Sequence, residues 1–272
     1  MSDGADGAVT SPPAWQPFTF GGVAAFARAR VGRLLLAEAV AALLLGAICV
    51  GFLQHAFVPV IFQAIEEMPE GAKIAGGRLS GVNTTIISAT RHLGLAVTPE
   101  PRADIGQSSD IQFQFRPSNF RVGSVFRPDW GWEFGYDPAI TLDLSRANLE
   151  PWWGAWRPVC LAVAGVSVVV GLLIIWAALA LIYTVPVKLL AWFADRDLTW
   201  NGAWQLSAAG LLPGACLLGL AIFLYGTQSI DVIALGFFYM THFVSGWIYA
   251  VGGTLACPRL ERLVPPPNPF GS

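Results

Sequence analysis

Lysine is almost missing from this chain. Two lysines, Lys73 and Lys188, stand against fourteen arginines in 272 residues, and only 12% of the residues are charged. With 54% hydrophobic residues, the chain has too little charge for an ordinary soluble domain and the composition of a multi-pass membrane protein. The formal net charge of -2 argues against a nucleic-acid partner, which needs clustered cations to displace counterions from phosphates. Abundant Ala and Gly beside scarce Lys point to a GC-rich bacterial genome.

Cysteine is scarce as well. Cys49, Cys160, Cys216 and Cys257 leave the whole stretch between 50 and 159 without a thiol, so whatever folds there does so without a disulfide. No CxxC or Cys/His pairing offers zinc ligands. GxSxG, HExxH, P-loop and Rossmann patterns are missing too, so no catalytic residue, cofactor or metal ligand is expected. Asp104, Asp110, Asp129, Asp137 and Asp143 lack the close spacing that a Ca²⁺ loop requires. Asn83-Thr84-Thr85 has the form of a glycosylation sequon, which carries no meaning in a bacterium. Ser167, Ser207 and Ser245 fall within apolar runs, but nothing places a base beside any of them, so an enzyme ranks behind the two readings given below.

Long apolar runs are what the chain does have. Four stretches, about 34–57, 159–183, 203–225 and 230–255, reach the roughly 20 residues needed to cross a bilayer core. Each must be helical, because hydrocarbon offers no partner to an unpaired backbone group. The first begins too far from the start and runs too long for a signal peptide, and reads as an uncleaved anchor. Arg28, Arg30 and Arg33 precede the first run, Lys188 and Arg196 lie between the second and third, and Arg259 and Arg262 follow the fourth. Under the positive-inside rule both termini are cytoplasmic. Arg157, at the start of the second run, is a vote the other way, and the eight further basic residues of 63–157 count little because long domains translocate largely regardless of charge. Trp152, Trp153 and Trp156 mark the outer interface, and Trp192, Trp200 and Trp204 the inner one.

The expected fold class is therefore a membrane α-helical protein with four transmembrane helices and an extracytoplasmic, partly β (α+β) domain between helices 1 and 2. The expected divisions are a cytoplasmic N-terminal segment (1–33), helix 1 (34–62), the extracytoplasmic domain with a β-meander (63–157) and helix 2 (158–184). A cytoplasmic interfacial loop (185–202), helices 3 and 4 (203–255) and a cytoplasmic Pro-rich tail (256–272) follow. Pro186 is expected to begin the interfacial loop. Residues 15–30 read either as an interfacial segment with Phe20 and Phe26 inserted or as a solvated tail. The final LVPPPNPFGS is an extended end, open either to solvent or to a polyproline reader.

Within 63–157, KIAGGRLSG carries a Gly-Gly turn between two short extended pieces, while VNTTIISATRHLGLAV is compatible with helix or strand. Further on the pattern has period two: Ile111, Phe113, Phe115; Phe120, Val122; Trp130, Trp132, Phe134, Tyr136; Ile140, Leu142, Leu144. RPD (127–129) and DPA (137–139) supply turn chemistry between the last three runs. This is a meander with one buried face. The aromatic row from Trp130 to Tyr136 reads as a core face, a face resting on the membrane, or a carbohydrate-stacking platform.

Ionisable groups at membrane depth are functional candidates by default. Glu38 lies about one turn into the first run and Asp231 at the start of the fourth, whereas His242 is near the middle of the fourth on a stripe with Tyr239, Ser245, Gly246 and Tyr249. His242, Ser245, Glu38 and Asp231 are the candidate intramembrane polar site. His242 is expected to be neutral and hydrogen-bonded to a neighbouring span. Gly210 with Gly214, and Gly246 with Ala250, are small-xxx-small steps that let helices approach closely, the candidate packing residues.

FTFGGVAAFARARVGRLLLAEAV (18–40), KIAGGRLSG (73–81) and DLTWNGAWQLSAAGLLPGA (197–215) resemble a family of bacterial multi-pass membrane proteins encoded near maltodextrin-utilisation genes and distantly similar to Yip-domain proteins. The resemblance implies one N-terminal span, an extracytoplasmic domain and three further spans. It also implies a polar start and a proline in the third span, matched by Gln205 and Pro213, and it carries no catalytic residues. The expectation is a non-enzymatic interaction or scaffold protein of the plasma (inner) membrane, in contact with the lipid bilayer and with a membrane protein partner or a second copy of itself. The alternative is a transport component, proton-coupled through His242 with Glu38 or Asp231.

Overall fold

The structure, a computed structural model, describes residues 16–101 and 105–260; Asp104, the Pro-rich tail beyond 260 and the first fifteen residues lie outside the described residues, as do the side chains of Pro128 and Asp129. The helices are α1 (Phe20–Phe26), α2 (Val31–Ala56), α3 (Val58–Glu66), α4 (Arg146–Phe193), α5 (Trp200–Gly226) and α6 (Val232–Ala256). The strands are β1 (Lys73–Ala75), β2 (Arg78–Ser80), β3 (Ile86–Ala89), β4 (Leu93–Val97), β5 (Ile111–Phe115), β6 (Asn119–Ser124), β7 (Arg127–Gly135) and β8 (Leu142–Asp143). The runs built on α2 with α3, α4, α5 and α6 are long and apolar enough to cross a membrane, so the chain is a membrane-embedded protein with a small sheet region. Contacts divide it into two units: residues up to Gly46 with Val168–Ala221 and those from Ile233, and Ala47–Ser167 with Ile222–Val232.

The first unit is a helical bundle turned inside out relative to a soluble one. Leu35, Leu36, Val40, Leu43 and Leu44 of α2 and Ile174, Ile175, Leu181 and Ile182 of α4 are exposed, while the buried positions are crowded with Ala180, Ala191, Ala203, Ala208, Ala209, Ala215 and Ala250. That is the arrangement lipid favours: bulky side chains meet acyl tails, and small ones let backbones touch. Pro213 sits inside α5 without ending it. A Cβ on Gly210 would stand 3.2 Å from Ala250 N and 3.4 Å from Gly246 O, and one on Gly214 would stand 2.5 Å from both His242 O and Ser245 Oγ. The small steps of α5 and α6 therefore face each other in one seam.

Residues 16–30 form neither a tail nor a helix lipid-inserted along its whole face. Thr19 caps α1, its hydroxyl accepting from Gly22 N at 3.0 Å, and Val23 and Phe26, one turn apart, are fully buried in the bundle. Phe20 packs edge-on to Tyr249, ring centroids 5.4 Å apart. Gln205, buried near the start of α5, has its amide nitrogen placed to donate to Phe26 O (2.8 Å) and Ala29 O (3.0 Å), and its oxygen to accept from Asn201 Nδ2 (3.0 Å). It adds a donor to the Phe26 carbonyl, which also accepts from Ala29 N at 3.1 Å, and to the Ala29 carbonyl beyond the end of α1.

The expected interfacial loop from 185 is instead helix. α4 runs through Pro186 to Phe193, 48 residues in all, about 72 Å at 1.5 Å per residue against roughly 30 Å of hydrocarbon, so it projects beyond the membrane. Pro186 removes one backbone donor, but Val187 and Ala191 beyond it are buried in the bundle, and their packing keeps the helix whole. It stops at Asp195, whose φ of 52° lets Arg196 N donate to Ala191 O at 2.8 Å, a Schellman-type end with aspartate in the usual glycine position. Arg28 and Asp197 form an ion pair at 2.7 Å, Arg196 donates to Cys257 O at 2.8 Å, and Lys188 donates to Leu198 O, so the basic residues gather at one end of this unit.

In the second unit β2, β1 and β8 form one small sheet and β3-β4-β5-β6-β7 another, antiparallel except for the parallel β4–β5 pair. The Gly76-Gly77 turn joins β1 to β2 with φ of 56° and 75°, the two left-handed residues of a tight hairpin. Three departures from the sequence reading are instructive. Strand β8 leaves the meander to pair with β1. RPD is not a turn: β7 begins at Arg127, and the reversal falls on Val125 and Phe126. The aromatic row is not a core face either, since Trp130, Trp132 and Phe134 are 44, 53 and 47% exposed. Instead Gln112 and Gln114 of β5 are buried, with Gln112 Oε1 accepting from Ser108 N at 2.9 Å and Gln114 Nε2 donating to Ile105 O at 2.8 Å.

The seam makes a direct prediction. Gly214→Ala drives a methyl into backbone that cannot step aside, and should destabilise the full chain in detergent by about 1–3 kcal/mol, the cost of overpacking. Gly236→Ala on α6, where a methyl meets open space, should cost less than about 0.5 kcal/mol. Equal losses in denaturant titrations would overturn the seam.

Candidate functional site

His242 and Ser245 make their hydrogen bonds along α6 itself. His242 is buried, and its Nδ1 lies 2.5 Å from Tyr239 O of its own helix, so the partner is an acceptor and Nδ1 carries the proton. That differs from the expected bond to a neighbouring span, and the reason is geometric: on a helix the carbonyl three residues back lies under the imidazole. The ring also stands 4.0 Å from that of Phe243, centroid to centroid. Ser245 Oγ donates to His242 O at 2.8 Å. Glu38 is buried on α2, and its Oε1 meets no hydrogen-bond partner among the described residues. Asp231 is exposed and directly precedes α6 rather than lying inside it.

The same habit extends to the buried hydroxyls. Thr184 donates to Ala180 O, Ser207 to Ala203 O and Thr254 to Ala250 O, each at 2.7 Å and each four residues back. These groups are satisfied within their helices, and adhesion between α5 and α6 rests on the small-residue seam.

A second constellation lies in the other unit, where the sheet meets helix ends. The β3–β4 turn, the start of β5 and the β6–β7 reversal share one edge. At this edge Thr90 Oγ1 donates to Ala56 O at the end of α2 (3.5 Å), and Arg91 donates to Gln228 O just past α5 (3.4 Å). Between them stands His92, 2% exposed. Its Nδ1 is 3.5 Å from Asp110 Oδ2, and that oxygen accepts the hydroxyl proton of Tyr225, in the last turn of α5, at 2.5 Å. The imidazole lies edge-on to Tyr225 (centroids 4.4 Å) and to Phe52 (5.3 Å). At 3.5 Å the carboxylate is at the limit of hydrogen bonding, and neither ring nitrogen has a well-formed partner.

Sequence reading passed over this cluster. His92 sits in a stretch open to helix or strand, Asp110 is one of five aspartates without the spacing of a cation loop, and Tyr225 closes an apolar run; nothing in local spacing joins them. Chemically the group is a carboxylate bridging a phenol and an imidazole, with Arg91 alongside. Phe52 also lines a half-open apolar cavity of about 370 Å³ with Ile48, Gly51, His55, Ile222 and Phe223. Among the described residues no three His, Cys, Asp or Glu side chains are grouped to hold a metal ion.

Set against family models, curated proteins and solved structures, the chain matches none. Its reading rests on its own geometry.

Burial holds the His92 pKa below its ordinary 6.5; Asp110 pulls it up, while Arg91 and His55 add to the lowering. The unfolded chain then takes up its proton at a higher pH than the folded one. The contribution is complete above 6.5 and is lost as the pH falls through the window below it. The thermal midpoint of the full chain in detergent should therefore fall between pH 7.5 and 5.5, and His92→Gln should flatten part of that fall. An unchanged slope in the variant would remove His92 as its cause.

Proposed function

We propose that the chain is a non-enzymatic scaffold of a bacterial plasma (inner) membrane that presents an extracytoplasmic β domain, with both termini cytoplasmic. The observation that carries this reading is the self-satisfied interior of the bundle. The buried hydroxyls and His242 bond to their own helices, and α5 and α6 meet through glycine and alanine, so the polar groups named do not form a path between helices. The domain edge in turn is held to the ends of α2 and α5 by Thr90, Arg91 and Asp110, a mounting suited to displaying a surface to a partner protein or a second copy. The gathering of Arg28, Lys188 and Arg196 at one end of the bundle supports a cytoplasmic placement of that end. A proton-coupled transport component is the second reading, favoured by Glu38, whose buried carboxyl has an unpartnered oxygen in a place where such groups usually serve transport.

Two experiments test these statements. A cysteine at Ser108 should react with an impermeant thiol reagent on intact cells and one at Ser272 should not; the reverse pattern would invert the orientation. Reconstituted vesicles should hold an imposed pH gradient as long as protein-free ones. A faster decay that Glu38→Gln or His242→Gln abolishes would replace the scaffold with the transporter.

A further inference from the structure

We propose that the β6–β7 reversal is a membrane-dipping tip: Val125 and Phe126, with Arg127 and Trp130 behind them, enter the interfacial layer of the bilayer that the helices cross. This rests on reading the helices as membrane spans, and is independent of which side the domain occupies.

Depth is the first argument. Val125 N donates to Asp110 O at 3.0 Å, and the Asp110 carboxylate accepts from Tyr225 in the last turn of α5. Two hydrogen bonds thus tie the tip to the point where a membrane-length helix ends. The neighbouring turn on the same edge reaches Ala56 O and Gln228 O, the ends of two such helices. The whole edge is thereby fixed at the level of the interface.

Composition is the second. A two-residue reversal in water favours Asn, Asp or Gly, which adopt the turn and solvate it. Here it holds Val125, 42% exposed, and Phe126, 64% exposed. Next to them the Arg127 guanidinium lies over the Trp130 ring, 5.2 Å from its centroid. Trp130 is itself exposed and stands edge-on to Trp132 at 4.6 Å. An apolar tip with an arginine and an indole directly behind it has the mixed character of the interfacial layer, where indoles settle and a long arginine can extend its charge toward headgroups. Exposed Trp152 and Trp156 near the start of α4 add two more indoles of the same interfacial kind to this unit.

The far end of the sheet supplies the control. Ser118, in the β5–β6 turn, is separated from the tip by the length of β6, which places it about 20 Å away along the strand. Cys49, Cys160, Cys216 and Cys257 are replaced by alanine in the full chain, and a single cysteine is introduced as Phe126→Cys, Val125→Cys or Ser118→Cys. Each carries an environment-sensitive fluorophore, and the protein is reconstituted into phosphatidylcholine vesicles with iodide on both sides. The tip labels should emit at shorter wavelength than the Ser118 label. They should be quenched at least about twofold more by lipids bearing a nitroxide high on the acyl chain, and about twofold less by iodide. Iodide quenching equal to that at Ser118 would place the tip in water and overturn the proposal. Protection from iodide and nitroxide lipid alike would overturn it in favour of a protein contact, such as a second copy. Val125→Cys repeats the measurement should the label at Phe126 perturb folding, and failure of all three variants to reconstitute while the unlabelled chain does so would count against a lipid-seated tip. None of these outcomes depends on the scaffold reading, which the gradient and labelling experiments address separately.

Discussion

Hydrocarbon offers no hydrogen bonds, and the structure follows from that one constraint. Any hydroxyl, imidazole or backbone group at depth must find its partner within the protein. In α4, α5 and α6 the hydroxyls of Thr184, Ser207 and Thr254 find theirs one turn back along the same helix. Polar side chains closed in this way have little left to offer a neighbour, so α5 and α6 are held by contact. Contact without a hydrophobic driving force works only where backbones come close, which is why glycine and alanine line the seam and leucine and valine line the outside. One side chain that does reach across lies near the start of α5, where the Gln205 amide is placed to donate to the Phe26 and Ala29 carbonyls at and beyond the end of α1.

The membrane helices were legible from the sequence because a run of about twenty apolar residues has few alternatives. Their ends were less so. Pro186 reads as a breaker, and in water it would be a costly one, yet the residues after it are buried against other helices and their packing outweighs a single lost donor. The end of α4 is set instead by Asp195 in the left-handed region, a residue that local sequence marks weakly beside glycine. The small-xxx-small steps were visible as spacing; that the α5 pair faces the α6 pair is a matter of register between helices, which spacing within one helix does not contain.

The sheet shows how alternation can mark a strand and mislead about its faces. β5 reads Ile-Gln-Phe-Gln-Phe, a pattern that predicts the apolar set to be the buried one. The loop at 105–109 covers the other face, where Gln112 and Gln114 close its backbone groups at Ser108 and Ile105. Gln114 has both ends engaged, its Oε1 also accepting from Arg116 Nη2 at 3.0 Å. It serves there much as an apolar side chain would, with added geometric definition, whereas Gln112 Nε2 meets no partner among the described residues. On the opposite face Phe115 and Phe120 stack, centroids 6.0 Å apart, and Phe120 stacks on Phe134 at 4.9 Å. This aromatic ladder buries its rings against one another while leaving Trp132 and Phe134 about half exposed. Period two reports that two faces differ; it does not report which of them is covered.

The His92 cluster was the least legible feature, and its illegibility is physical. His92, Asp110 and Tyr225 lie on a strand turn, a strand start and a membrane helix, and only the fold's own register brings them together. Asp110 is held by two demands: its carbonyl accepts from Val125 while its carboxylate accepts from Tyr225. A single residue thus fixes the hairpin tip and the helix end to one another, so the level of the tip follows from the level of the helix. Moving the tip away from the membrane would require Asp110 to release either a backbone donor or a phenol beside a buried, poorly partnered imidazole. Releasing the phenol leaves the hydroxyl of Tyr225, a buried residue, without this partner. The edge therefore moves as one piece with the end of α5 or not at all.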